Sequence, residues 1–160
     1  MRIRRGSVSE LETLWNHSCS NTYHYFIKGM TNKTIEFWTV ENISNELIGE
    51  LYIFWDSEDK DEADGINRAY LYALRIHKDY QGKGLSSQLM NTVLNRVKEK
   101  GFSEVTVGID NDHYEKLHAM YTGWGFKEFI KKQDCDFHYR DMDNKPVVYE
   151  KPIELYLKQV

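Results

Sequence analysis

Gln81, Gly82, Lys83, Gly84, Leu85 and Ser86 carry the clearest chemical potential in this chain. They follow an apolar run at 70–76 and a short polar turn, and they open a strongly amphipathic pattern. A glycine turn that opens a helix leaves backbone N–H groups free and aimed at one point. The helix dipole adds partial positive charge there, so the place suits a phosphate or pyrophosphate. Gly82 and Gly84 permit positive φ and let a ligand approach the backbone with no Cβ in its way. The run Gly-x-x-x-x-Gly-Lys-Ser/Thr of a P-loop is absent. A dinucleotide fingerprint fits at Gly82 and Gly84, but its third glycine is Ser87 here. Glu104 lies at about the distance of a ribose-binding acid, yet it begins the next strand where such an acid should end it.

The elements around this turn follow from periodicity. Residues 2–5 read as a first strand. Glu10, Leu11, Leu14, Trp15 and Ser18 have helical spacing, with Ser7 or Ser9 as the cap. A poorer helical stretch covers 23–28 before Gly29. Residues 35–40 and 47–55 are rich in β-branched and aromatic side chains and read as a hairpin joined by 41–45. Strand 69–76 precedes the glycine turn. Leu85, Leu89, Met90, Val93, Leu94 and Val97 mark one face of the helix after it, ending near Gly101. Strand 104–109 completes a right-handed β–α–β crossover. A helix over 112–122 is expected, with Asp112 and Glu115 as a capping box. Residues 126–130 and 153–157 read as the last strands, separated by a polar and aromatic segment, 134–146.

The chain has 160 residues, 41% hydrophobic and 29% charged, which suits one domain over 1–160 with a single core. A net charge of −4 and a pI near 5.9 argue against a nucleic-acid or membrane-surface binder. No apolar run reaches a membrane span, and the basic start at 1–6 leads into polar residues rather than a signal peptide. Cys19 and Cys135 suit a reducing cytoplasm and offer no paired metal-ligand spacing, so no metal is expected. Six of the nine residues at 56–64 are Asp or Glu. They read as a solvated loop first, and otherwise as an acidic lip for a cationic acceptor. The spacing of an EF-hand calcium loop is not met.

Gln81-x-x-Gly84-x-Ser86 after a strand resembles the acyl-CoA-binding motif of the GNAT superfamily of N-acetyltransferases. Leu74, Ile76, Asp79, Tyr80 and Leu85 strengthen the likeness, while Lys78 replaces a frequent proline. A second motif, Leu117-x-x-x-Tyr121-x-x-x-Gly125-Phe126, resembles the family's tyrosine ahead of Gly-Phe. The element order matches the family over nearly the whole chain. The resemblance implies an α/β (α+β) fold with a mixed, mostly antiparallel sheet. In its centre a splayed parallel strand pair is flanked by helices. Acetyl-CoA is then the cosubstrate. Leu74, Arg75 and Ile76 offer backbone groups to its pantetheine arm, and Gln81, Gly82, Lys83, Gly84, Leu85 and Ser86 hold its pyrophosphate.

The resemblance also implies Tyr121 as general acid to the departing thiolate, with Tyr114 packing on CoA. An asparagine that the family often has near this helix start falls at Asn111, His113 or Tyr114. Glu50 is the first candidate base, with Asp110, His113 or a water chain as alternatives; Gly108 stands where some relatives have a glutamate. The acceptor, a small-molecule or peptide amine, would meet the first helices, the hairpin and 134–146. Trp15, Tyr23, Tyr25, Phe26, Trp38, Trp55, Phe137 and Tyr139 lie there, either as a cage for an ammonium or as core. His138, Arg140 and Asp141 read as acceptor contacts or a solvated loop. The expected activity is acetyl transfer to a primary amine by direct attack in a ternary complex. A homodimer is compatible with it. The alternative is a non-catalytic acyl-CoA-binding sensor or interaction module. A dinucleotide oxidoreductase is weaker still.

Overall fold

Ser7 and Ser20 each start a helix. In α1 (Val8–Leu14) the Ser7 hydroxyl accepts from the Glu10 N–H, and the Glu10 carboxylate accepts from the Ser7 N–H at 3.0 Å, a capping box. In α2 (Asn21–Thr31) the Ser20 hydroxyl accepts from the Tyr23 N–H. The expected stop before Gly29 is corrected: α2 runs through it. A Cβ at Gly29 would lie 2.2 Å from the Ile35 side chain, so this glycine serves close packing and not termination. The protein is described by a computed structural model covering residues 1–15 and 20–160. Ser18 and Cys19 lie outside the described residues, and Cys135 is a free thiol.

Seven strands form one sheet among the described residues: β1 (Arg2–Arg5), β2 (Ile35–Glu41), β3 (Leu47–Phe54), β4 (Arg68–Ile76), β5 (Glu104–Ile109), β6 (Glu128–Arg140) and β7 (Pro146–Gln159). Their order is β1-β2-β3-β4-β5-β7-β6. Every neighbouring pair is antiparallel except β4 and β5, which α3 (Leu85–Glu99) connects. β4 and β5 pair only from Arg68↔Glu104 to Leu71↔Val107. Beyond Leu71, β4 leaves β5. Ala73 there adopts φ +62°, and the register against β3 shifts between Glu50 and Tyr52. A bulge with a left-handed alanine, strained by about 1–2 kcal/mol, thus bends β4 away from its partner.

The sheet separates two apolar layers. Leu51, Ile53, Leu71, Leu89, Val93, Val105 and Val107 pack on the α3 side. Leu11, Phe26, Ile35, Phe37, Tyr52 and Tyr70 pack on the side of α1 and α2. Each large apolar side chain buried this way contributes about 1.5–3 kcal/mol. No helix among the described residues is long and apolar enough to cross a membrane.

Three expectations are corrected. The last strands are far longer than 126–130 and 153–157, and most of 134–146 is strand. Register shifts along β6 break the alternation that would have revealed it. α4 (Tyr114–Gly123) begins after His113, whose φ is +60°, and neither Asp112 nor any other side chain caps it. The acidic stretch 56–64 is solvated only in part: the Asp56, Glu58 and Asp61 side chains are exposed, but Glu62 is built into the fold. The Glu62 side chain is 2% exposed; it accepts from Ser57 Oγ and Gln133 Nε2, both at 2.8 Å, and faces His138 Nε2 at 2.9 Å. His138 Nδ1 meets the Tyr25 hydroxyl at 3.0 Å. His138 is therefore a fully buried strand residue, not part of a solvated loop.

Candidate active site

β4 ends at Ile76, and a single 3₁₀ turn, Lys78–Tyr80, leads to the glycines. Gln81 Nε2 donates to the Ile76 carbonyl at 2.9 Å, so its side chain closes the turn. Gly82 and Gly84 have φ of +76° and +79°. A Cβ at Gly82 would meet nothing within 4 Å, and one at Gly84 only Gln88 Nε2 at 4.0 Å. Both glycines therefore face open space. Gly84 is also the N-cap of α3 and provides no side-chain cap, unlike Ser7 and Ser20. The first N–H groups of this 15-residue helix have no side-chain cap, an arrangement that suits an anion. A cavity of about 440 Å³ opens at this point. Ile76, Gln81, Gly82, Gly84, Leu85 and Ser86 line one side, and Ala119, Met120, Gly123 and Trp124 of the α4 segment line the other. Trp124 Nε1 donates to Ser87 Oγ at 3.3 Å and ties the two sides together.

On the α1 and α2 side of the sheet, two tyrosines stand opposite each other across β3 and β4: Tyr52 and Tyr72. The Tyr52 hydroxyl donates to Glu50 Oε2 at 2.5 Å and accepts from Trp15 Nε1 at 3.1 Å. The Tyr72 hydroxyl donates to Asp136 Oδ2 at 2.7 Å. Burial, and then the adjoining carboxylate, push both phenols up from their ordinary range. Arg75 approaches Glu50 at 3.5 Å but is 73% exposed. Gly108 of β5 has no room for a side chain: a Cβ would lie 2.8 Å from Ile153 and 3.1 Å from the Tyr70 hydroxyl.

Residues 4–126 match the acetyltransferase (GNAT) family. The chain belongs to this family. The solved structures it resembles share its fold at low identity. A GNAT family acetyltransferase from Elizabethkingia anophelis with acetyl-CoA bound is 16% identical, with a TM-score of 0.65 over 99% of this chain and 97% of that one. A spermidine N-acetyltransferase variant from Vibrio cholerae is 14% identical, with a TM-score of 0.66 over 99% and 95%. An aminoglycoside 6′-N-acetyltransferase complexed with coenzyme A is 13% identical, with a TM-score of 0.64 over 99% and 97%.

Within this GNAT fold the other candidates fall in three places. Leu74 and Arg75 lie on the part of β4 that has left β5, and Lys83 stands over the Tyr80 ring at 5.3 Å. Asn111 donates to the carbonyls of Lys151 and Pro152, and the Tyr114 hydroxyl donates to Glu154 at 2.6 Å. Both are thus tied to β7 and do not line the cavity. Tyr121 is buried edge-on against Trp124 and Phe126. Its hydroxyl has no hydrogen-bond partner among the described residues, and burial pushes its phenol up to about 12. The proposed aromatic cage divides: Trp38 and Trp55 pack on the α3 side, while Trp15 and Phe26 pack on the other. Tyr52, Tyr72 and Asp136 were not singled out by sequence. The alternation of Tyr70 and Tyr72 is visible there, but not which face they share or which carboxylates they meet.

Proposed function

We propose that residues 1–160 form one acetyl-CoA-dependent N-acetyltransferase that moves an acetyl group to a primary amine by direct attack in a ternary complex. One observation carries this: β4 separates from β5 after Leu71 and Val107, and the strand that leaves leads through one 3₁₀ turn and the two glycines to the uncapped start of α3. A separated strand offers unpaired backbone groups to an extended arm, and the helix start offers N–H groups to its pyrophosphate. The acetyl-CoA and coenzyme A held by similar structures support the choice of cosubstrate. A cytoplasmic location accords with that cosubstrate and with the content of two cysteines.

Acetyl-CoA supplies the activated acyl thioester. Leu74, Arg75 and Ile76 present backbone to the pantetheine arm, and the N–H groups of 82–86 take the phosphates. Most of the rate comes from holding amine and thioester in line. Glu50, fixed by Tyr52, takes the proton that the attacking nitrogen loses. As the carbon–sulfur bond breaks, Tyr121 gives its proton to the thiolate, since a phenol with pKa near 12 remains protonated at neutral pH. The non-catalytic alternative draws on Gly108, where β5 has no room for a side-chain base. A thiol-release screen with acetyl-CoA and a panel of amines separates the two. Amine-dependent release is expected; acetyl-CoA binding without release from any amine would favour the sensor.

A further inference from the structure

A second cavity, of about 460 Å³, opens between α2, the end of β3 and the turn that joins β6 to β7. It shares no lining residue with the cavity at the glycine turn. Ile76 lines that first cavity and pairs with Gly49 near the start of β3, whereas Phe54, at the end of the same strand, lines the second. The strand between them puts the two cavities about 17 Å apart. Acetyl transfer leaves the second one unused.

Its walls are tied together. The Thr22 hydroxyl donates to the Arg140 carbonyl at 3.2 Å and accepts from the Arg140 N–H at 2.9 Å. Asn21 Nδ2 donates to the carbonyls of Asp141 and Met142. α2 thus holds the end of β6, and the Arg140 guanidinium lies over the Tyr25 ring, 4.7 Å from its centroid. Burial raises the Tyr25 phenol, and the neighbouring guanidinium limits that rise. The Arg140 side chain lines the cavity and is only 10% exposed, yet its five N–H donors are poorly satisfied. Nη2 donates to Glu58 Oε1 at 3.1 Å, Nη1 reaches the Asn144 carbonyl at 3.4 Å, and Nε meets no acceptor among the described residues. Glu58 is a loose partner: it is 60% exposed and uses one oxygen, where a carboxylate paired fork to fork uses two. A buried charge with unused donors is unfavourable until an acceptor reaches it. Lys28 of α2 lines the same cavity and forms no ion pair among the described residues. Asp56 lines it too, but Lys60 neutralises that carboxylate at 2.6 Å. The cavity therefore holds an excess of positive charge.

We propose that this cavity is a second binding site, for a small oxyanion (a carboxylate or a phosphate group) held by Arg140 and Lys28, with Glu58 as the internal carboxylate that the ligand displaces. A free oxyanion can accept from two N–H groups of the guanidinium at once, which Glu58 does not do, and it supplies the counter-charge that Lys28 lacks. The site does not depend on acetyl transfer.

The test titrates inorganic phosphate and acetate separately into ¹⁵N-labelled protein at constant ionic strength. NMR follows the Arg140 Nε–H resonance and the backbone amides of 24–28 and 140–144. The readout is resolved by residue, so anion bound at the start of α3 is not counted. Saturable shifts at these positions are expected with at least one anion, and the tighter of the two names the source, phosphate or carboxylate. Arg140→Gln, read from the amides, should weaken binding by about tenfold or more, and Lys28→Gln by a smaller factor. Glu58→Gln should do the opposite and tighten it by about two- to fivefold, because it removes an exposed competitor. An Arg140–Glu58 pair that only supports the fold gives no such gain. Lys28 and Glu58 are exposed, so their variants decide even if Arg140→Gln does not fold. The proposal is overturned if neither anion gives a saturable shift, if Glu58→Gln fails to tighten binding, or if Lys28→Gln leaves it unchanged.

Discussion

In the proposed reaction, Tyr121 and Gly84 are places where a single side chain or its absence should decide the outcome. Tyr121 is buried, its hydroxyl meets no protein acceptor among the described residues, and its phenol stays protonated until about pH 12. Phenylalanine keeps the ring and its contacts with Trp124 and Phe126 but removes the proton. Tyr121→Phe should lower turnover by ~10²–10⁴-fold while leaving acetyl-CoA affinity unchanged, as steady-state kinetics and calorimetry can check. Gly84 combines φ +79° with open space toward the cavity. Gly84→Val should abolish acetyl-CoA binding in a protein that circular dichroism still finds folded; Gly82→Ala, which adds only a methyl group, should weaken it less. These residues were legible in the sequence because a glycine turn and a tyrosine ahead of Gly-Phe are local patterns. Asp136 and Tyr72 were not, because their pairing spans 64 positions of chain. No local pattern encodes such a contact.

At the scale of elements, the strand–helix–strand unit around the glycines was readable because its periods are clean: alternation in β5, and one apolar face in α3 ending at Gly101 with φ +90°. The β6–β7 hairpin was not, because three register shifts scramble its alternation. The bulge at Ala73 was equally invisible, since alanine gives no sign of a left-handed conformation. One terminal element can be tested through pH. The Arg4 guanidinium, bonded to Glu10 at 2.6 and 2.9 Å, holds that carboxyl down to about 2, against an ordinary 4.5. A lowered folded-state pKa stabilises the fold fully above the unfolded value, and this is lost as pH falls through the folded one. The melting temperature should therefore decline between about pH 4.5 and 2, and Glu10→Gln should flatten part of that decline. An identical profile in the variant would remove the pair from the fold's acid response.

Across the whole molecule, the acidic stretch after β3 is locked to β6 by Glu62 and His138, both nearly inaccessible to solvent. Composition suggested a solvated loop because a run of carboxylates usually is one. Nothing local announces that a histidine 76 positions later will bury one of them. His138→Leu would remove one of three side-chain partners of the buried Glu62 carboxylate and should cost about 1–3 kcal/mol of stability. Denaturant unfolding would read that loss, and acetyl-CoA affinity in the surviving folded fraction should not change, since the α3 turn lies elsewhere.

The proposed reaction assigns work to the glycine turn, the separated strands, Glu50 and Tyr121, and its products can be followed directly. The protein is incubated with acetyl-CoA bearing a ¹³C-labelled acetyl group and a set of mono- and diamines, and the products are resolved by mass spectrometry. Labelled N-acetyl amine should appear in equal amount with free coenzyme A, at a rate that Tyr121→Phe reduces. If acetyl-CoA binds but labelled amine forms no faster than without protein, the chain is not the N-acetyltransferase proposed here.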